Sequence, residues 1–95
     1  FYNREWLAQK GLLEQAEREL EGVLDLDPTN PYAYYYLASV YEGRGRTAEA
    51  VEALEKSSQY AEEQDVDELV AMARYRMGIL MQSQMSQQNF PTPSP

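Results

Sequence analysis

Residues 31–60, PYAYYYLASVYEGRGRTAEAVEALEKSSQY, decide how this chain is read. They describe a helix, a glycine-marked turn and a second helix. Tyr34, Leu37, Ala38 and Tyr41 recur at i, i+3, i+4 and i+7, which gathers them on one helical face. Pro31 suits a first helical turn, where its missing N–H costs nothing, and Asn30 is a good N-cap. Gly43 and Gly45 close the helix, because glycine accepts positive φ. Thr47 is expected to cap the second helix, whose buried face carries Ala50, Val51, Leu54 and Ser57. Ala38 and Ala50 are small residues on the facing sides, so the two helices can approach closely.

Parts of this unit recur. Gly11 and Gly45 lie 34 residues apart, as do Ala16 and Ala50, Leu20 and Leu54, Leu7 and Tyr41, and Glu21 and Glu55. That period and content resemble the tetratricopeptide repeat family, whose pattern is W-x2-L-G-x2-Y, then A-x3-F, then P. The complete unit reads Tyr34-x2-Leu37-Ala38-x2-Tyr41 and Ala50-x3-Leu54, and the preceding one supplies Ala16-x3-Leu20 and Pro28. Tyr34 stands for Trp, Ala38 for Gly, Leu54 for Phe, and Glu62 occupies the second proline place. The resemblance covers roughly residues 7–82. It implies an all-α fold: antiparallel helix-turn-helix repeats stacked as a short right-handed α-solenoid of about two and a half units. Residues 1–82 would form this domain, and residues 83–95, SQMSQQNFPTPSP, a flexible Ser/Gln/Pro-rich tail.

Outward from the unit, five helices are expected near residues 4–10, 12–26, 31–44, 47–63 and 66–83. Gly11 is expected to end the first, with Trp6 and Leu7 as its buried residues. Leu13, Ala16, Leu20, Val23 and Leu24 form the stripe of the second, opposite a charged face. Asp65 and Glu68 read as a D-x-x-E capping box for the last. Val66, Leu69, Val70, Ala73, Met77, Leu80 and Met81 follow it at helical spacing. A shift of 40 pairs Tyr35 with Tyr75, Leu37 with Met77, Ala38 with Gly78 and Tyr41 with Met81. Gly78 is then expected at a close helix contact, and this helix reads as a terminal cap. Trp6, Leu80 and Met81 would lack cover at the incomplete ends, which predicts self-association or docking there.

Composition narrows the function classes. With 95 residues the chain is one small domain, and Phe1 in place of an initiator Met reads as a processed product or a piece of something longer. There is no Cys and no His, which removes thiol chemistry and the commonest acid–base and metal-binding group. No nucleophile has a recognisable base and no P-loop is present, so no enzyme activity or cofactor is expected. The D-x-D-x-x-N run from Asp25 to Asn30 looks like a calcium loop. It lacks glycine at its sixth position and has Tyr36 where a twelfth-position glutamate belongs, so no metal is expected. A net charge of −8 argues against nucleic acid. No apolar run reaches the roughly 20 residues of a membrane span, and no targeting segment appears. The compartment is left open, with the cytoplasm as default.

In the resembling family the first helices of successive repeats line a concave groove that holds a peptide. On residues 31–44 the corresponding stripe is Tyr32, Tyr35, Ser39 and Glu42; on the last helix it is Met72, Tyr75, Ile79 and Gln82. On the first it is Phe1, Glu5 and Ala8. The resemblance therefore implies peptide binding by Tyr32, Tyr35, Ser39, Glu42, Met72, Tyr75 and Ile79. Tyr34 and Tyr41 are expected in the core, and Tyr36 and Val40 against a neighbouring repeat. Family members that grip acidic C-terminal peptides use groove Lys, Arg and Asn, whereas Tyr35, Ser39, Tyr75 and Ile79 stand here. A protein or peptide with apolar or aromatic anchors, and basic groups to meet Glu5 and Glu42, fits better. The expected function is an interaction scaffold, with a structural or assembly subunit held through its repeat ends as the alternative.

Overall fold

The computed structural model describes the backbone of residues 4–88 and the side chains of residues 8–83. Four helices follow in order: α1 (Arg4–Leu26), α2 (Pro31–Gly43), α3 (Thr47–Glu63) and α4 (Asp67–Gln88). No strand occurs among the described residues, and no helix there is long and apolar enough to cross a membrane.

The start of α2 is built as its sequence asks. Asn30 is the N-cap, and its Oδ1 accepts from the Tyr32 and Ala33 amides at 2.9 and 3.1 Å, with Pro31 beside them in the first turn.

The turns after α2 and α3 share one construction. Gly45 has φ +79° and Asp65 has φ +61°. After α2, the Arg46 amide reaches back to the Tyr41 carbonyl at 2.8 Å and Gly45 to Glu42 at 3.1 Å. After α3, Val66 reaches Ala61 at 2.8 Å and Asp65 reaches Glu62 at 3.2 Å. Both are Schellman closures, which satisfy the last carbonyls of a helix through one left-handed residue. Two expectations are corrected here. Thr47 is the first helical residue rather than the cap; Arg46 takes that place without a side-chain cap bond. Asp65 does not open α4 but ends α3, because the short Asp side chain tolerates the left-handed conformation.

The expected break at Gly11 is also absent, and α1 is continuous across it. Breaking a helix needs a closing and a restarting signal together. Gly43-Arg44-Gly45-Arg46-Thr47 supplies them, whereas the equivalent Gln9-Lys10-Gly11-Leu12-Leu13 offers one glycine followed by two good helix formers. One glycine costs a helix only about 1 kcal/mol. At the other end α4 extends through Ser83 to Gln88, so the expected tail begins within the helix. Residues 89–95, and the side chains of Trp6 and Leu7, lie outside the described parts.

The core lies between α2, α3 and α4. Ala38, Ala50, Ala53, Leu54, Ala73 and Leu80 form one buried cluster, with Tyr35, Tyr41, Val51 and Met77 packed on it. Leu54 and Leu69 are fully buried, worth about 1.5–3 kcal/mol each. The buried Ser57 hydroxyl donates to the Pro31 carbonyl at 2.9 Å and fastens the middle of α3 to the start of α2. Tyr34 stacks on Tyr60, with ring centroids 5.6 Å apart, and the Lys56 ammonium lies 5.6 Å from the Tyr34 ring centroid. Leu80, expected to lack cover, is buried, while Met81 is exposed.

α1 is attached differently. None of its described residues is buried; Leu13, Ala16, Leu20 and Leu24 are half-buried, and Val23 is exposed. The Leu13 side chain comes close to Gly43, where an added Cβ would meet it at 3.2 Å. Electrostatics supplement this thin apolar seam: Glu17 pairs with Arg44 and with Arg46, the latter at 3.7 Å.

Candidate functional site

The exposed aromatic face of α2 follows from its spacing. Tyr32, Tyr35, Tyr36 and Ser39 fall at i, i+3, i+4 and i+7, and the opposite side of the helix is spent on the core. Tyr32 and Tyr36 are about half exposed, while Tyr35 and Ser39 are half-buried. Tyr35 and Tyr36 meet edge to face, with centroids 5.8 Å apart and planes at 76°, a geometry aromatic rings favour. Val40 is buried as expected, but Tyr36, expected to pack against a neighbouring repeat, is open to solvent.

On α4, Met72, Tyr75 and Ile79 share a face at i, i+3 and i+7. All three are exposed, Tyr75 at 72%. Arg76, on the turn between Met72 and Ile79, connects this helix to α2. Its guanidinium donates to Glu42 at 2.9 Å and lies 5.8 Å from the Tyr35 ring centroid. Hydrogen bonds to Tyr35 and then to Glu42 push the Arg76 pKa further above its ordinary value. Sequence reasoning placed Tyr36 elsewhere and, although Arg76 lies near the expected groove stripe, did not pair it with Glu42. The signals were present: Tyr36 follows Tyr32 by one helical turn, and Arg76 follows Glu42 by one repeat length of 34. Glu42 is thus already engaged by a cation of its own chain. Of the first-helix stripe, Ala8 is exposed, and the Phe1 and Glu5 side chains lie outside the described residues.

Pro31 and Asp67 each open their helix, a shift of 36 against the expected 40. Burial fits both shifts equally: 36 superposes buried Ala33 on Leu69 and Leu37 on Ala73, and 40 superposes buried Ala33 on Ala73 and Val40 on Leu80. Gly78, expected at a close helix contact, is exposed with nothing within 4 Å of an added Cβ.

A family model described as tetratricopeptide repeat matches residues 7–73. Repeats of that kind generally serve protein–protein interaction and not catalysis. Comparison with curated proteins and with solved structures finds no match.

Proposed function

The chain belongs to the tetratricopeptide repeat family, and from that premise we propose that it is a scaffold module gripping a partner segment across the aromatic face of α2 and α4. The observation that carries this reading is the concentration of exposed large apolar side chains there: Tyr32 and Tyr36 on α2, Met72, Tyr75 and Ile79 on α4. Aromatic and Met residues are enriched at binding surfaces, where rigid rings anchor and thioethers adapt. Tyr35 and Ser39 form the half-buried floor, and Glu42 with Arg76 forms a polar bar across it. Because Glu42 is occupied, a basic group of the partner must compete with Arg76. Apolar and aromatic anchors then supply the affinity, while the chain's net charge of −8 speeds the approach of a basic partner.

The test is selection of a displayed random-peptide library on the immobilised domain, followed by binding measurements on variants. Selected peptides should carry aromatic or large aliphatic residues. Tyr35→Ala and Tyr75→Ala should each weaken them by about thirtyfold, the effect of losing an anchor worth 2 kcal/mol, with helix content unchanged. Peptides that bind both variants as tightly as the parent would place the binding surface elsewhere.

A further inference from the structure

The four helices are not held equally. α2, α3 and α4 share one buried cluster, whereas no described residue of α1 is buried. Among the described residues the backbone of α1 runs beside α2 and beside neither α3 nor α4. Its apolar seam is thin: Leu13 against Gly43, then half-buried Ala16, Leu20 and Leu24. What α1 adds is a carboxylate between two arginines. Glu17 accepts from Arg44 and lies 3.7 Å from Arg46. Those arginines flank the left-handed Gly45, so one side chain of α1 spans the turn between α2 and α3. The Glu17 and Arg44 side chains are only 15% and 21% exposed, and an ion pair withdrawn from water in this way attracts more strongly than one in the open. Glu14 adds a longer contact to Arg44, at 3.8 Å.

We propose that α1 is a detachable arm: Glu17 latches it to Arg44 and Arg46, and when the latch opens α1 leaves α2 as a unit while α2, α3 and α4 stay folded together. Three observations carry this. Undocking breaks one helix–helix seam and leaves the buried cluster of the other three helices intact. Arg46 also lies 3.6 Å from Glu49 of α3, so it keeps a partner when Glu17 departs. A cleft of about 430 Å³, lined by Lys10, Leu13, Arg44 and Arg46 among others, opens beside the latch, and solvent ions reach both arginines through it. Raised ionic strength therefore weakens the latch while leaving buried apolar packing in place. Detachment bares the side of α2 near Tyr41, whose phenol lies in the field of Glu17 and Glu21. Elements that move in regulation are drawn from the low-stability end of a fold, which is where α1 belongs.

Amide hydrogen exchange of this chain tests the proposal without any ligand, so it fails separately from the peptide-binding reading. A helix owes most of its stability to packing of its apolar face, so α1 amides lose protection once the arm undocks. Residues 12–26 should exchange faster than the amides of α2 and α3. Raising sodium chloride from about 0.01 to about 1 M shortens the screening length from about 30 to about 3 Å, and should speed α1 more than α3. Glu17→Gln should speed α1 by about tenfold at low salt, as expected for losing a charged hydrogen bond. It should leave α3 at the parent's rate and remove most of the salt response. Glu19→Gln alters an exposed carboxylate that accepts from Gln15 on its own helix, and should leave α1 unchanged. The proposal is overturned if α1 amides are as slow as those of α3, or if Glu17→Gln and Glu19→Gln act alike. Acceleration of α1, α2 and α3 together would overturn it too, since α1 would then leave only when the whole domain unfolds.

Discussion

The Arg76 guanidinium joins Glu42 at 2.9 Å, while its charge sits 5.8 Å from the centre of the Tyr35 ring. One cation therefore serves a carboxylate and an aromatic face on the neighbouring helix. Each partner of the ion pair is about 40% exposed, so water and salt screen it heavily. A double-mutant cycle with Arg76→Ala and Glu42→Gln should give a coupling of about 0.2–1 kcal/mol at low salt, fading as salt is added. Zero coupling at low salt would mean that the pair does not hold α4 to α2 in solution.

Gly45 and Asp65 occupy one backbone role with different side chains, which predicts opposite mutational signs. Gly45→Ala places a Cβ at φ +79° and should cost about 1 kcal/mol. Asp65→Gly relieves a non-glycine residue at φ +61° and should gain several tenths of a kcal/mol, since glycine's extra unfolded-state entropy offsets part of the relief. Chemical denaturation of both variants reads the two signs directly. The same sign for both would show that the turns are not equivalent.

The pairing of α2 with α3 was legible because its signals agree: Asn30 and Pro31 at the start, Gly43 and Gly45 at the turn, small Ala38 and Ala50 on facing stripes. The stripe of Met72, Tyr75 and Ile79, exposed in the structure, was reached through the family resemblance together with helical spacing. Three features were not. Gly11 looks like Gly45 by period, but a helix ends only where its backbone finds another set of hydrogen bonds, and Leu12-Leu13 offers none. Asp65 fits both an N-cap and a left-handed C-terminal residue, and the Val66-to-Ala61 bond decides for the second. Tyr36 has the same side chain as the half-buried Tyr34 and Tyr41, yet it is exposed; an amphipathic ring suits either face, so residue type alone does not place it.

The glycines that end nothing make a further prediction. Gly11 and Gly78 lie inside helices, both exposed, with nothing within 4 Å of an added Cβ. Alanine at either position should raise stability by up to about 1 kcal/mol through helix propensity alone. A loss on Gly78→Ala, measured by thermal melting, would restore the expectation of a close helix contact there.

Tyr41 makes stability sensitive to alkali. Burial, and then the carboxylates of Glu17, Glu21 and Glu49, push its phenol above the ordinary value of 10.0. The folded state therefore disfavours the phenolate more than the unfolded state does. The resulting stabilisation is full below pH 10 and is lost as pH rises through the folded-state value. Melting temperature should fall in that window, and Tyr41→Phe should flatten part of the fall. An identical alkaline slope in the variant would mean that Tyr41 reaches water freely.

Ala50 tests the packing on which the whole arrangement depends. It has no exposed surface and sits in one buried cluster with Ala38 of α2 and with Ala53 and Leu54 of its own helix. A close-packed interior leaves no room for three added carbons, so Ala50→Leu must separate the helices or force strained rotamers. The expected cost is about 1–3 kcal/mol. Ala48, two residues earlier on the same helix, is exposed, and Ala48→Leu should change stability by less than about 0.5 kcal/mol. The pair controls for the helix propensity of leucine, leaving the contact itself as the difference. If both variants melt at the parent's temperature, α3 does not bury Ala50 against α2, and the faces opposed across that contact, including the Tyr32–Tyr36 surface it orients, must be drawn anew.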